Sequence, residues 1–294
     1  MTNYADIKKY SSGIQPTWCG GCGNFGIWAS IKRALVELEI EPEKVLFCFD
    51  IGCNGNMNDK IGGYRFHGLH GRVLPVAVGA KIANEDLIVI ASAGDGATYS
   101  EGIGHFIHTL RNEYPITFLV HDNENYGLTT GQCSATTRED VAMNSSPDGN
   151  TGKTMNPLEL ALSQNPSFMA QAFSGDIEGT KEILKLAIKH QIEGKGLSYV
   201  NILQSCPTYN KVTGNKWYME RIKNVDSNLD VGDMNKAREI IGNISKDIPV
   251  GVIYKNPKAV SYLSRLSYRG SKSLLVNEVR KDVTSIKDLL TELV

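Results

Sequence analysis

Short apolar runs recur along the chain at residues 45–51 (VLFCFDI), 87–93 (LIVIASA), 116–120 (ITFLV) and 197–203 (LSYVNIL), with a weaker one at 248–254 (IPVGVIY). Their length and β-branched content predict strands. Between them the pattern changes to a helical period. Over residues 25–38, Ile27, Ile31, Ala34, Leu35 and Leu38 share one face, and Ile183, Leu184, Ala187 and Ile188 do so over 178–192. Residues 100–111 fit a third helix, with Ile103, Phe106, Ile107 and Leu110 inward. Strands that alternate with helices predict an α/β fold, a doubly wound parallel sheet with helices on both faces. The polar stretch 138–156 (REDVAMNSSPDGNTGKTMN) has no periodicity. A connection this long is usually functional or mobile. Beyond Cys206 the chain is more polar and less regular, which predicts an extension docked on the main domain or on a partner. The charges near the C-terminus (KDVTSIKDLLTELV) read as a solvated helix face.

Composition narrows the class. The chain has 294 residues, 41% hydrophobic and 21% charged, enough for a substantial core. A formal net charge of −1 gives no basis for a nucleic-acid groove or attraction to an anionic membrane surface. The start, MTNYADIKKYSSGIQPTW, lacks the apolar run of a signal peptide, and no stretch is apolar enough to span a membrane. The expectation is a soluble, cytoplasmic protein. Six cysteines in that compartment point to metal ligation or core packing rather than disulfides.

Trp18-Cys19-Gly20-Gly21-Cys22-Gly23 places two thiols on a glycine-rich turn just before a predicted helix, where both sulfurs can aim at one metal centre. Zinc knuckles, redox dithiols and clusters all use such a pair. Cys53 and Cys206 each follow a predicted strand, a layout suited to a cluster held from several strand ends. Cys48, inside VLFCF, reads as a core residue, and Cys133 is undecided. A second signal is Gly94-Asp95-Gly96 after the strand at 87–93, with Asn123 and Asn125 after the next strand. That arrangement sets backbone N–H groups and a helix N-terminus where a diphosphate could sit. A carboxylate, an amide oxygen and a free carbonyl are the hard oxygen donors that Mg²⁺ prefers. His105 and His108, on the following helix, read as packing and capping residues.

In combination these residues resemble the β subunits of 2-oxoacid:ferredoxin oxidoreductases. GDG (94–96), GHFIHTLRN (104–112) and DNENYGLTTGQ (122–132) are similar to that family's thiamine-diphosphate motif. WCGGCGNFGI (18–27), DIGC (50–53), YRFHGLHGR (64–72) and SCPTYN (205–210) resemble the same family in the same order. The resemblance covers about residues 15–215. It implies that Cys19, Cys22, Cys53 and Cys206 ligate a [4Fe–4S] cluster. Asp95 and Asn123 would bind Mg²⁺ through their side chains, and Asn125 through its carbonyl. Ile51, Gly52, Cys53, Asn54, His67, Gly94, Asp95, Gly96, Ala97, Asn123, Asn125, Gly127, Leu128 and Thr129 would contact thiamine diphosphate. Cys53, between Ile51 and Asn54, would let one loop grip both cofactors.

Two departures bear on substrate. Many relatives carry Lys or Arg three positions after the third cluster cysteine, where this chain has Asn56, and the glycine usual before the F-H pair is Arg65. A substrate carboxylate still calls for a basic group, so Asn56, Lys60 and Arg65 are the substrate-facing candidates, with the partner subunit as the alternative source. The expected reaction is decarboxylation of a 2-oxoacid, oxidation, and capture by coenzyme A, with electrons passing to ferredoxin. The WCxGCGN form is closer to the 2-oxoglutarate and broad-range branches than to the pyruvate branch. The expected partner is an α subunit, which supplies the glutamate that activates the thiamine, with γ and δ subunits in some relatives. Residues 1–210 would form the cofactor-binding domain and 211–294 the extension. The rivals are a thiamine enzyme without redox chemistry and a zinc-stabilised interaction module.

Overall fold

The computed structural model describes residues 4–226, 228–242 and 247–266; the C-terminal charged segment and the last part of the extension lie outside them. In chain order the elements are α1 (Tyr4–Ile7), α2 (Asn24–Glu37), β1 (Val45–Phe49), β2 (Tyr64–His67), α3 (Val73–Ala83), β3 (Ile88–Gly94), α4 (Ile103–Asn112), β4 (Thr117–Asp122), α5 (Pro157–Leu162), β5 (Phe168–Phe173), α6 (Ile177–Ile192), β6 (Ser198–Leu203), α7 (Asn215–Met219), β7 (Ile222–Asn224), α8 (Met234–Ile241) and β8 (Ile248–Lys255). They build one eight-stranded sheet in the order β2-β1-β3-β4-β6-β5-β8-β7. The strands from β2 to β5 are all parallel, and β8 joins β5 antiparallel.

Period-two alternation sorts the strand side chains into two cores. Phe47, Phe49, Ile90 and Leu119 pack on one face with Ile27, Ile31 and Leu35 of α2 and Ile183, Leu184 and Ile188 of α6. Cys48, Val89, Ala91, Phe118 and Val120 pack on the other with Val73 and Leu74 of α3 and Phe106 and Leu110 of α4. Helices on both faces of a parallel sheet make the fold doubly wound, as the element order predicts.

Eight elements were not expected, α1, β2, α3, α5, β5, α7, β7 and α8, and three of them show why. β2, YRFH, is exposed along its whole length and has no apolar alternation. β5, FMAQAF, is interrupted by a buried glutamine whose Nε2 donates to the Pro249 carbonyl (2.8 Å). α3 contains Pro75, but in the first turn, where the missing N–H has no intrahelical acceptor. The helix expected over 100–111 divides into a π-helical turn, Ala97–Glu101, and α4. The polar stretch 138–156 forms no regular element before Asn156, which caps α5. The chain beyond residue 210 supplies β7 and β8, so part of the extension is continuous with the sheet.

The topology also fixes where a ligand fits. From β1 the chain runs outward to β2 on one side, and β3 lies on the other. The connections leaving the carboxyl ends of β1 and β3 therefore diverge and open a crevice between them.

Candidate functional site

A cavity of about 220 Å³ occupies that crevice, lined by Ile51, Gly52, Cys53 and Asn54 after β1, Gly94–Ala97 after β3, and Asn123, Asn125, Gly127, Leu128 and Thr129 after β4. Of the expected thiamine contacts, only His67 is missing from this lining. It sits on the exposed edge strand β2, with Nε2 against Gly55. His70, His121, Tyr126 and Gln204 line the cavity instead. His121 and Gln204 were legible only as neighbours of motif residues, each at or just past the end of a buried strand.

The local chain explains the shape. Gly52 has φ +137°, a conformation that side chains rarely adopt, and it turns the loop back after Ile51. A Cβ on Gly96 would lie 2.3 Å from the Tyr126 ring, so only glycine lets the β3 turn pass beneath that tyrosine. Asp50 ties two loops together: its carboxylate accepts from Ile51 N (2.8 Å), Gly71 N (3.0 Å) and Val73 N (3.3 Å).

The floor is acidic. Asp95 is buried, and its Oδ2 accepts from Ser134 Oγ (2.5 Å) and Thr136 Oγ1 (2.9 Å). Thr136 Oγ1 also lies 2.8 Å from Asp122 Oδ1, so one hydroxyl serves two buried carboxylates. Burial, together with the Asp122 charge, pushes the Asp95 carboxyl well above its usual range. A bound cation would reverse that preference and leave Asp95 ionised. Asn54 Oδ1 and Asn125 Oδ1 are buried with no hydrogen-bond partner, open acceptors beside the cavity. Uncompensated carboxylate at the floor and free amide oxygens at the wall suit Mg²⁺ and a polar cofactor.

A second cavity, about 170 Å³, lies beside the first and is lined by Cys19, Cys22, Cys53 and Cys206 together with Trp18, Asn56 and Tyr209. The structure thus brings the four expected ligands around one space. Among the described residues no three His, Cys, Asp or Glu side chains converge closely enough to hold a single ion. Four thiols around one space are the donor set that a [4Fe–4S] cluster takes. Burial raises the Cys22 thiol and pushes Cys53 up to about 12, and the other thiols of the group add to both effects; iron at the sulfur would hold them as thiolates. Cys53, Asn123, Gly127 and Leu128 line both cavities. Trp18 Nε1 donates to the Cys53 carbonyl (2.7 Å), fixing the loop between them.

Cys48 is buried in the core, as expected, and Cys133 is half-buried outside both cavities. Of the substrate-facing candidates, Asn56 lines the cysteine cavity, Lys60 is buried with Nζ 2.5 Å from Asp59 Oδ1, and Arg65 is exposed on β2. Their side chains do not converge on the first cavity. No helix among the described residues is long and apolar enough to cross a membrane.

Residues 50–202 match the family described as thiamine pyrophosphate enzyme, C-terminal TPP binding domain. Residues 206–269 match the C-terminal region of the pyruvate ferredoxin oxidoreductase beta subunit. The chain is 36% identical to the 2-oxoacid:ferredoxin oxidoreductase subunit beta of Saccharolobus solfataricus, over 94% of its own length and 95% of that protein's. It is 37% identical to the 2-oxoglutarate oxidoreductase subunit KorB of Mycobacterium tuberculosis, over 69% of this chain and 53% of that one. A solved structure of the 2-oxoglutarate:ferredoxin oxidoreductase from Magnetococcus marinus, with 2-oxoglutarate, coenzyme A and succinyl-CoA bound, matches with a TM-score of 0.86 at 34% identity, covering 98% of this chain and 97% of that one. A thiamine-diphosphate-binding domain whose motifs, sheet and near-full-length sequence agree with these proteins makes the chain a β subunit of the 2-oxoacid:ferredoxin oxidoreductase family, an oxidoreductase subunit that works with an α partner.

Proposed function

We propose that this chain, together with an α subunit, converts a 2-oxoacid and coenzyme A to acyl-CoA and CO₂ and passes the electrons through a [4Fe–4S] cluster to ferredoxin. The observation that carries this reading is the loop around Cys53, which lines both the cofactor cavity and the cavity of four cysteines. Thiamine diphosphate, when bound, supplies the electron sink that makes loss of CO₂ from a 2-oxoacid possible. The chain's own part is to hold, orient and connect. Asp95 and Asn123, with the Asn125 carbonyl, would hold Mg²⁺ against the diphosphate. The turn at Gly94–Ala97 would cradle the phosphates with backbone N–H groups, as its helical continuation favours. Cys19, Cys22, Cys53 and Cys206 would hold the cluster beside the thiamine, so the electron path crosses a single loop.

A 2-oxoglutarate or broad 2-oxoacid range is favoured over pyruvate, supported by the WCxGCGN sequence and by the 2-oxoglutarate named for two of the relatives. Because Asn56, Lys60 and Arg65 do not converge on the cavity, the substrate-carboxylate contact is assigned to the α subunit. Residues 1–210 would carry both cofactors, and 211–294 would be the extension, with β8 joined to β5 of the same sheet. Such a complex, fed by 2-oxoacids and coenzyme A, belongs in the cytoplasm. The test is anaerobic co-expression with the α subunit, followed by iron and sulfide analysis and an assay of ferredoxin reduction with 2-oxoglutarate and pyruvate in parallel. Iron, acid-labile sulfide and coenzyme A-dependent reduction are expected, fastest with 2-oxoglutarate. Colourless, zinc-containing protein would remove the redox role.

A further inference from the structure

Two side-chain amides converge on one cluster cysteine. Asn24, in the first turn of α2, is fully buried, and its Nδ2 donates to Cys22 Sγ at 3.6 Å. Gln204, just past β6, donates from Nε2 to the same sulfur at 3.5 Å. The Asn24 backbone N–H also reaches this thiol.

An asparagine amide can face either way, and only one way puts N–H on the sulfur. Two neighbours bear on the orientation, the Cys22 sulfur and His121. Asn24 Oδ1 lies 2.7 Å from His121 Nδ1. The amide oxygen carries no proton, so His121 donates from Nδ1. Its Nε2 then accepts from Ser92 Oγ, at 3.0 Å. Ser92 is braced in turn by Asn54, whose Nδ2 donates to the Ser92 carbonyl at 2.9 Å. This tautomer pairs both ring nitrogens of His121. Flipping the Asn24 amide would set its oxygen against the Cys22 sulfur, which as a thiolate has no proton to give, and would require the opposite His121 tautomer.

We propose that Asn24 and Gln204 raise the reduction potential of the iron–sulfur centre by donating N–H to the Cys22 thiolate, with His121 as the positioning residue that holds Asn24 in the donating orientation. The inference rests on the ligand assignment proposed above. Reduction adds negative charge that spreads onto the ligand sulfurs, so an N–H donor stabilises the reduced form more than the oxidised one. Removing a donor therefore shifts the equilibrium towards the oxidised centre.

The experiment is an EPR-monitored redox titration of the anaerobically purified α–β complex, wild type against Asn24→Leu, Gln204→Met and His121→Leu. Each of the first two is expected to shift the reduction equilibrium towards the oxidised form by up to about tenfold, which is 59 mV for a one-electron couple. His121→Leu should move the potential in the same direction, and adding it to Asn24→Leu should have little further effect, because the donor it orients is already gone. A general structural role would not give that non-additivity. Should Asn24→Leu lose iron, Gln204→Met, on a different element, decides the matter. Unchanged potentials in variants with full iron content would overturn the proposal while leaving the ligand assignment standing. A wild-type complex with no cluster signal would overturn both.

Discussion

A cysteine that holds iron and one that fills a core differ in what their loss uncovers. Cys48 is fully buried between β-strand neighbours, and burial alone pushes its thiol up to about 12, so it is an inert packing group. Cys48→Ala is expected to keep full iron content at a cost of about 1 kcal/mol in stability. Cys19→Ser, Cys22→Ser, Cys53→Ser and Cys206→Ser should each lose iron, read as iron per complex by colorimetric assay; wild-type iron in any one removes that residue from the ligand set. The carboxylate at the floor of the first cavity has the opposite character. Asp95 is costly to bury unless a cation compensates it. Asp95→Ala should abolish Mg²⁺-dependent binding of thiamine diphosphate, and calorimetry showing unchanged affinity would refute its role.

At the scale of the element, the end of α4 carries a pH-dependent contribution to stability. Glu113 closes the helix in a left-handed conformation, φ 56°, and its carboxylate accepts from Ser167 N (2.8 Å) and Leu197 N (3.0 Å), tying the helix end to the segments that enter β5 and β6. Burial raises its pKa from an ordinary 4.5 to about 7, against the opposing effect of those hydrogen bonds. The folded state therefore holds this proton more tightly than the unfolded chain does. The stabilising effect is complete below about pH 4.5 and is lost as pH rises through about 7. Its size is on the order of 3 kcal/mol at most. Glu113→Gln has no proton to lose, so its thermal midpoint should vary less between about pH 5 and 7 than that of the wild type. Parallel curves for the two proteins would show that Glu113 is not the group responsible.

The whole molecule presents an incomplete site. Ile51 and Leu128 line the cofactor cavity yet remain 38% and 49% exposed. Tyr64 and Phe66 stand on one face of the edge strand β2, and Leu69, just before His70 in the adjoining loop, is 76% exposed. Apolar surface of this kind beside a cofactor crevice marks a surface for a partner. The α subunit is the partner the family requires. The chain alone is expected to be inactive and prone to association, and co-expression should give an obligate complex burying about 2,000 Å² or more. Phe66→Glu and Leu69→Glu should weaken that complex without unfolding the chain, measured by sedimentation velocity beside circular dichroism. Turnover by the purified single chain would show that this view of the assembly is wrong.

Much of this was written locally. Strands β1, β3, β4 and β6 are apolar and β-branched because both sheet faces are covered, so each announced itself within a residue or two of its observed bounds. The cofactor motifs were legible because a glycine turn, a carboxylate and two cysteines on one loop are each set by short-range geometry. β2 was invisible because nothing covers it: an edge strand with both faces exposed has no pattern to impose, and only pairing with β1 makes it a strand. α3 was hidden by a proline that its position in the first turn renders harmless. The contacts of His121 and Gln204 could not be read either, since Asn24 and Cys22, which they meet, lie far away in sequence. The chain by itself determined the class, the cofactor motifs and the candidate ligands, because these are local arrangements of donor atoms. The tertiary structure alone decided that the two cavities share a wall and which side chains meet the candidate ligands, because strand order, and not sequence distance, sets which loops meet.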